Sequence, residues 1–276
     1  MPRRNFPGRR WQSSSTSVKR VGNLGKDKHH MNDSFDADEP QPAMSGGPRA
    51  PREPVFNIPA ALGYALAALW LVQIVRTYLL TPEQDATLLV QTAFIPLRYV
   101  TPLDQQSPAW LWSPLTYSFL HGGFLHIFVN SIWMVAFGAV VARRLGAVRF
   151  CLFWIATSVA AAAAFLLTNW GAAVPVIGAS GVVSGLMGGA ARFAFPRSGP
   201  FRRENAHFLP RVGIVESLRN RTVLSYVLIW FAINFLTAFG FSPGAGAGVT
   251  VAWQAHIGGF LFGFLFFGLF DRRHWA

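Results

Sequence analysis

Six apolar runs, separated by polar or charged turns, constrain this chain more than any other feature. They cover residues 58–80, 113–142, 150–170, 180–195, 222–241 and 252–270. Each is about 16–30 residues long, against the ~20 that an α-helix needs to cross a bilayer core. A helix satisfies every backbone N–H and C=O within its own segment, which lipid demands. The chain is 52% hydrophobic and only 13% charged, whereas soluble domains carry about 25% charge. The expected fold class is therefore an all-α polytopic membrane protein, with one six-transmembrane-helix bundle over residues 58–270. A polar segment, 1–57, precedes it and a short tail, 271–276, follows. The second run is long enough to protrude, and the fourth is short.

Charge placement sets the expected orientation. The segment 1–57, the turn with Arg143, Arg144 and Arg149, the 192–221 loop and the C-terminal Arg272 and Arg273 hold 22 of the 24 Lys/Arg. The alternate side keeps only Arg76 and Arg98. By the positive-inside rule both termini are cytoplasmic, and segments 81–112, 171–179 and 242–251 face the other side. The net charge of +12 does not point to nucleic acid, because the basic residues border apolar runs instead of forming one patch.

Residues 1–57 are rich in Pro, Gly, Ser and charge with no apolar period, the composition of a disordered tail. Residues 1–30 are basic and Ser-rich, compatible with a transit peptide, and Met31 is an alternative start. No signal peptide is expected, since the first apolar run begins near Ile58. Cys151 stands alone, which excludes an intrachain disulfide. The 81–112 segment is either an interfacial element, with Trp110 and Trp112 in the aromatic belt, or an irregular loop.

Polar groups inside apolar spans are costly and mark function. Four stand out: His126, Asn130, Ser180 and His256. At ~1.5 Å per residue across a ~30 Å core, Ser180 lies ~12 Å, Asn130 ~10 Å and His256 ~8 Å below the outer face. Three groups on three helices thus share one level. His126 and Asn130 are four residues apart, so they share a helix face. They are either an interhelical hydrogen-bonding pair or part of a site. On one continuous helix His121 lies about 140° away from His126, which suggests an interfacial or structural role. Gly181, Gly185 and Gly189 recur every four residues, as do Gly259 and Gly263, a spacing that lets helix backbones approach closely in membranes. If the fourth and sixth runs pack through these ridges, Ser180 and His256 meet.

The chemistry follows by exclusion. No Asp or Glu lies inside the spans, against aspartyl proteolysis and proton-coupled transport. HExxH is absent and the outer histidines lack metal-ligand spacing. Serine with histidine remains, an imidazole taking the hydroxyl proton. With no acid for a third member, a dyad is expected. A fourth helix beginning at Ser180 in mid-leaflet points its unpartnered N–H groups at the space above the serine, where an oxyanion would form. His126 and Asn130 are candidate side-chain donors to the same oxygen. The preceding 171–179 segment is expected to be non-helical backbone at depth, which is tolerated only where it lines a protein or water cavity.

These residues resemble the rhomboid intramembrane serine proteases. Gly178-Ala-Ser-Gly181 is similar to the family's GxSG motif, Ala255-His-Ile-Gly-Gly-Phe-Leu-Phe-Gly263 to its AHxxGxxxG motif, and His126-Ile-Phe-Val-Asn130 to its HxxxN element. His121-Gly-Gly-Phe-Leu125 resembles a run that many bacterial members carry. The likeness extends over about residues 58–270. It implies a rhomboid-like bundle in which Ser180 is the nucleophile and His256 the general base. His126, Asn130 and the Ser180 amide would form the oxyanion hole. The implied substrates are single-span membrane proteins, cut at helix-weak sites near the outer face. No cofactor or metal is implied, and a bacterial inner-membrane location fits. Two departures stand: Ser184 occupies a position where some members carry Tyr under the histidine, and the first loop lacks a Trp-Arg pair. The rivals are a catalytically silent rhomboid-like protein that binds membrane clients and a small-solute channel. The channel lacks polar residues through the cytoplasmic half of the spans.

Overall fold

The structure, a computed structural model, describes residues 58–195, 206–239 and 251–272. The expected disordered tail 1–57 and nearly all of the expected 242–251 loop lie outside the described residues. The described architecture is helical, and its one β pairing is an isolated antiparallel bridge between Phe94 and Val176.

The first apolar run forms α1, Ala60–Tyr78, with Pro59 at its N-cap. The 81–112 segment is ordered. It opens with α2, Pro82–Thr92, where Thr81 and Gln84 form a reciprocal capping box and Pro82 takes the first turn. A guanidinium closes the far end of α2: Arg98 donates to the carbonyls of Ala93 and Val90. Two 3₁₀ turns, Pro96–Tyr99 and Leu103–Gln105, lead to α3, Ala109–Thr116. The Phe94–Val176 bridge and the Leu97 N–H on the Ala172 carbonyl, at 2.9 Å, tie this segment to 171–179. The two outer segments therefore support one another.

The expectation of one helix over 113–142 is corrected. Helix α3 ends at Thr116 and is followed by a 3₁₀ turn at Tyr117–Phe119 and a non-helical stretch to Gly123. Pro114 lacks an amide hydrogen, and Gly123 takes φ 156°, a conformation that an L side chain resists. Helix α4, Phe124–Trp133, begins only there. A π-helical stretch, Met134–Gly138, joins it to α5, Ala139–Leu145, so Phe124–Leu145 runs as 22 continuous residues. At the π-helical stretch Gly138 admits Leu62 of α1 and Leu186 from the centre of the bundle.

A one-residue turn at Gly146 starts α6, Ala147–Thr168. Helix α7, Ser180–Ala190, starts at the serine as expected. It is shorter than the expected 180–195 run, because tight turns take over: the Arg192 N–H bonds the Gly189 carbonyl and the Phe193 N–H the Ala190 carbonyl. Then come α8, Ile214–Arg219, α9, Arg221–Ala238, and α10, Trp253–Phe266. Among the described helices, Ala60–Tyr78, Phe124–Leu145 and Ala147–Thr168 are long and apolar enough to cross a membrane. Helices α9 and α10 are apolar but shorter.

Helix α7 is the centre of the molecule, with every residue from Gly181 to Ala190 buried. It meets α10 backbone to backbone. A Cβ on Gly259 would overlap the Gly181 carbonyl, and one on Gly263 the Gly185 carbonyl. Gly185 also receives Thr157 of α6, while Gly189 faces the rings of Phe267 and Phe153. The Ala190 end is held by charge. Arg144 and Asp271 form a buried pair at 2.8 Å, and the Arg192 guanidinium donates to the carbonyls of Phe264 and Val212 at 2.6 and 3.0 Å.

Candidate active site

The glycine contacts between α7 and α10 set the separation of Ser180 and His256. Their helices approach closely at the outer end, and His256 Nε2 lies 2.7 Å from Ser180 Oγ. Ser180 and His256 are half-buried. On the far side of the imidazole, His256 Nδ1 lies 2.8 Å from Oδ1 of the buried Asn234 on α9.

Gly178 gives the third side of the site. Its φ is 125°, and a Cβ there would stand 2.9 Å from His126 Nε2 and 3.6 Å from Ser180 Oγ. The bare backbone thus lets the His126 ring approach the serine. The amide of Gly178 is held by the Tyr117 carbonyl at 3.0 Å, which fixes the turn into α7. His126 Nδ1 accepts from the Gly122 N–H at 3.3 Å. A neutral imidazole engaged in this way carries its proton on Nε2, the nitrogen that faces Gly178. It is an available donor.

Asn130 follows one turn later on α4 and is buried. One of its amide protons goes to the His126 carbonyl at 3.0 Å. His121, which continuous helical geometry would set apart from His126, is brought back by the break before α4. Its ring sits edge-on to His126 with centroids 5.0 Å apart, and its Nε2 accepts from the Ala179 N–H at 3.4 Å. His121 therefore positions the turn that presents Ser180.

The first turn of α7 supplies further donors. Val183 N–H bonds the Ala179 carbonyl at 2.8 Å. The N–H groups of Ser180, Gly181 and Val182 lie before that bond and have no carbonyl four residues back to take them. Among the described residues no cluster of three or more His, Cys, Asp or Glu could hold a metal ion. The site combines a hydroxyl, two imidazoles, a carboxamide and a helix N-terminus, groups that acyl transfer can use.

The family model of the rhomboid domain matches residues 108–273, more than half of the chain. The chain belongs to the rhomboid family. RHOMBOID-like protein 4 of Arabidopsis thaliana is 28% identical over 169 residues, 60% of this chain and 36% of that protein. The chain thus spans well under two thirds of that curated relative.

Against the rhomboid pattern, both departures acquire a structure. Ser184 turns its hydroxyl back to the Ser180 carbonyl at 2.8 Å, so it gives the histidine no ring to rest on. Arg98 serves the end of α2. Asn234 was not among the four polar residues singled out in the sequence. The signal was available, since Asn234 is a carboxamide inside the 222–241 apolar run. Its partner lies 22 residues away on another helix, and no local spacing relates the two.

Proposed function

We propose that this rhomboid is an intramembrane serine endopeptidase that cuts transmembrane segments of single-span membrane proteins. The observation that carries this reading is the 2.7 Å contact between His256 Nε2 and Ser180 Oγ in a half-buried site. Ser180 attacks the scissile carbonyl while His256 takes the hydroxyl proton and returns it to the leaving amine. The amide of Ser180 and the side chains of His126 and Asn130 stabilise the oxyanion. Water then attacks the acyl carbon while His256 takes its proton, and the proton passes to Ser180 Oγ as the ester C–O bond breaks and the carboxylic product leaves.

The reading includes a six-helix membrane domain over 58–270, to which α9, α10 and the short α7 each contribute one element. Helix α7 begins in mid-leaflet. Both termini lie in the cytoplasm, the site opens toward the outer face, and a bacterial inner membrane is the proposed location. The substrate helix unwinds locally at small, helix-weak residues to present its peptide.

A fluorophosphonate probe and cleavage of a single-span model substrate in vesicles test the proposal together. We expect labelling at Ser180 and cleavage near the outer face, both lost in Ser180→Ala. A folded parent that neither labels nor cleaves would establish a silent, client-binding rhomboid instead.

A further inference from the structure

A serine and a histidine at hydrogen-bond distance are only half of a base mechanism. The imidazole must also present an unprotonated Nε2 to the hydroxyl, and a neutral histidine has two tautomers. The chain holds no acid to select one: Asp and Glu are absent from the apolar runs. The position below the nucleophile, Ser184, is committed to the Ser180 carbonyl.

The selection comes from α9. Asn234 Nδ2 donates to the Trp230 carbonyl at 2.8 Å. A backbone carbonyl can only accept, so this bond fixes which end of the carboxamide is NH₂. Oδ1 is then the atom that faces His256 Nδ1, at 2.8 Å. A carboxamide oxygen also only accepts, so Nδ1 must carry the hydrogen. Nε2 is left with its lone pair toward Ser180 Oγ, 2.7 Å away. The direction of every donor is set by one backbone carbonyl, in the order Trp230, Asn234, His256, Ser180.

We propose that Asn234 is a positioning residue, which holds His256 in the Nδ1–H tautomer so that its unprotonated Nε2 faces Ser180. The assignment rests on the protease reading above and deepens it. In the acylation step the Ser180 Oγ–H bond breaks, its proton passes to His256 Nε2, and Oγ forms the bond to the carbonyl carbon. The imidazolium keeps its Nδ1–H on Asn234 Oδ1 throughout. The Nε2 proton then goes to the leaving amine nitrogen as the peptide C–N bond breaks. Asn234 neither gains nor loses a proton. Burial suits this role, since water at Nδ1 would stabilise either tautomer, and Asn234 is buried while Ser180 and His256 remain half-buried.

The test compares Asn234→Leu, which removes the acceptor at similar volume, with Asn234→Asp, which keeps an acceptor. Each full-length protein, labelled with ¹⁵N-histidine in detergent, is measured for His256 ring nitrogen shifts, kcat, KM and thermal unfolding. The parent should show a protonated Nδ1 and an unprotonated Nε2. Asn234→Leu should populate the Nε2–H form and lose about 10- to 100-fold in kcat with little change in KM, the scale of a misaligned catalytic group. Asn234→Asp should retain the Nδ1–H form and most of kcat. A merely structural bond between α9 and α10 would lower the melting temperature and leave the tautomer untouched. An Asn234→Leu protein with the parent's ring shifts or the parent's kcat overturns the assignment. If Asn234→Leu does not fold, Asn234→Asp decides at a pH where the His256 ring is neutral, and a ring there with hydrogen on Nε2 and a bare Nδ1 overturns it. Fluorophosphonate labelling of the parent tests the protease reading separately. Absent labelling sinks that reading, whereas intact labelling with an unshifted Asn234→Leu spectrum sinks only the role of Asn234.

Discussion

The two ends of the α7–α10 pair are built in opposite ways. At the Ala190 end, charge is buried and fully engaged: Arg144 on Asp271, and Arg192 on the carbonyls of Phe264 and Val212. At the Ser180 end the polar atoms form a directed chain that stops at a half-buried hydroxyl. Between them the helices touch through glycine. One end is a latch and the other is left open. A polar group deep in such a bundle is thus structural when its partners close around it, and available for chemistry when the last member of the chain is left open.

The largest effects are expected at the open end. Ser180→Ala and His256→Ala should each reduce cleavage by about 10⁴-fold or more with an unchanged melting temperature. The double variant should lose little further, because the two act as a unit. Cleavage assays and thermal unfolding on the same preparations check this. Substantial activity in either single variant would remove the contact from the chemistry.

Gly259→Val attacks the middle. The branched side chain meets the Gly181 carbonyl and must push the backbones apart. Folded yield and activity should fall together. A variant as heat-stable and active as the parent would show that the glycines do not set the spacing.

Arg144→Met attacks the latched end. It removes the nearer guanidinium from the buried Asp271 carboxylate and leaves Arg211 at 3.4 Å as its ion-pair partner, so the cost should fall below the ~3–5 kcal/mol of a fully broken buried pair. Denaturant or thermal unfolding should register that loss while kcat per folded molecule stays near the parent's. A selective loss of kcat would show that the two ends are coupled.

Asn130→Ala should be the mildest. Loss of one oxyanion donor typically costs ~10²–10³ in rate when the donor is a principal one. The Ser180 amide and His126 remain, so a fall in kcat at or below about 10²-fold is expected, with KM less affected. Unchanged turnover with a lowered melting temperature would leave Asn130 as a bond to the His126 carbonyl and no more.

What was legible in the sequence was whatever repeats or stands out against lipid. Ser180, His256 and the glycine ridges announced themselves because a hydroxyl, an imidazole or a bare backbone is costly or conspicuous in an apolar run. The start of α7 at Ser180 followed from the shortness of its run. The break before α4 was missed, because the apolar residues on either side of His121-Gly122-Gly123 read as one run and Pro114 and the two glycines were not weighed as a change in backbone. His121 was misplaced for the same reason, since an angle on a helix has no meaning across a break. Asn234 was passed over because its worth depends on a tertiary contact. The inner arginines were legible as a topogenic charge, but their burial against Asp271 and against carbonyls depends on chain crossings that no local pattern encodes.

The glycine seam between α7 and α10 has one more consequence. Where a carbonyl oxygen occupies the place of a Cβ, no side chain lies between the two backbones to flex, swell or change rotamer. Ser180 and His256 are 76 residues apart in the chain, yet their separation is gauged by main-chain atoms. Repacking elsewhere in the bundle can move the pair as a block but has little leverage on its spacing. The Ser180–His256 spacing is thereby gauged chiefly where glycine backbones touch.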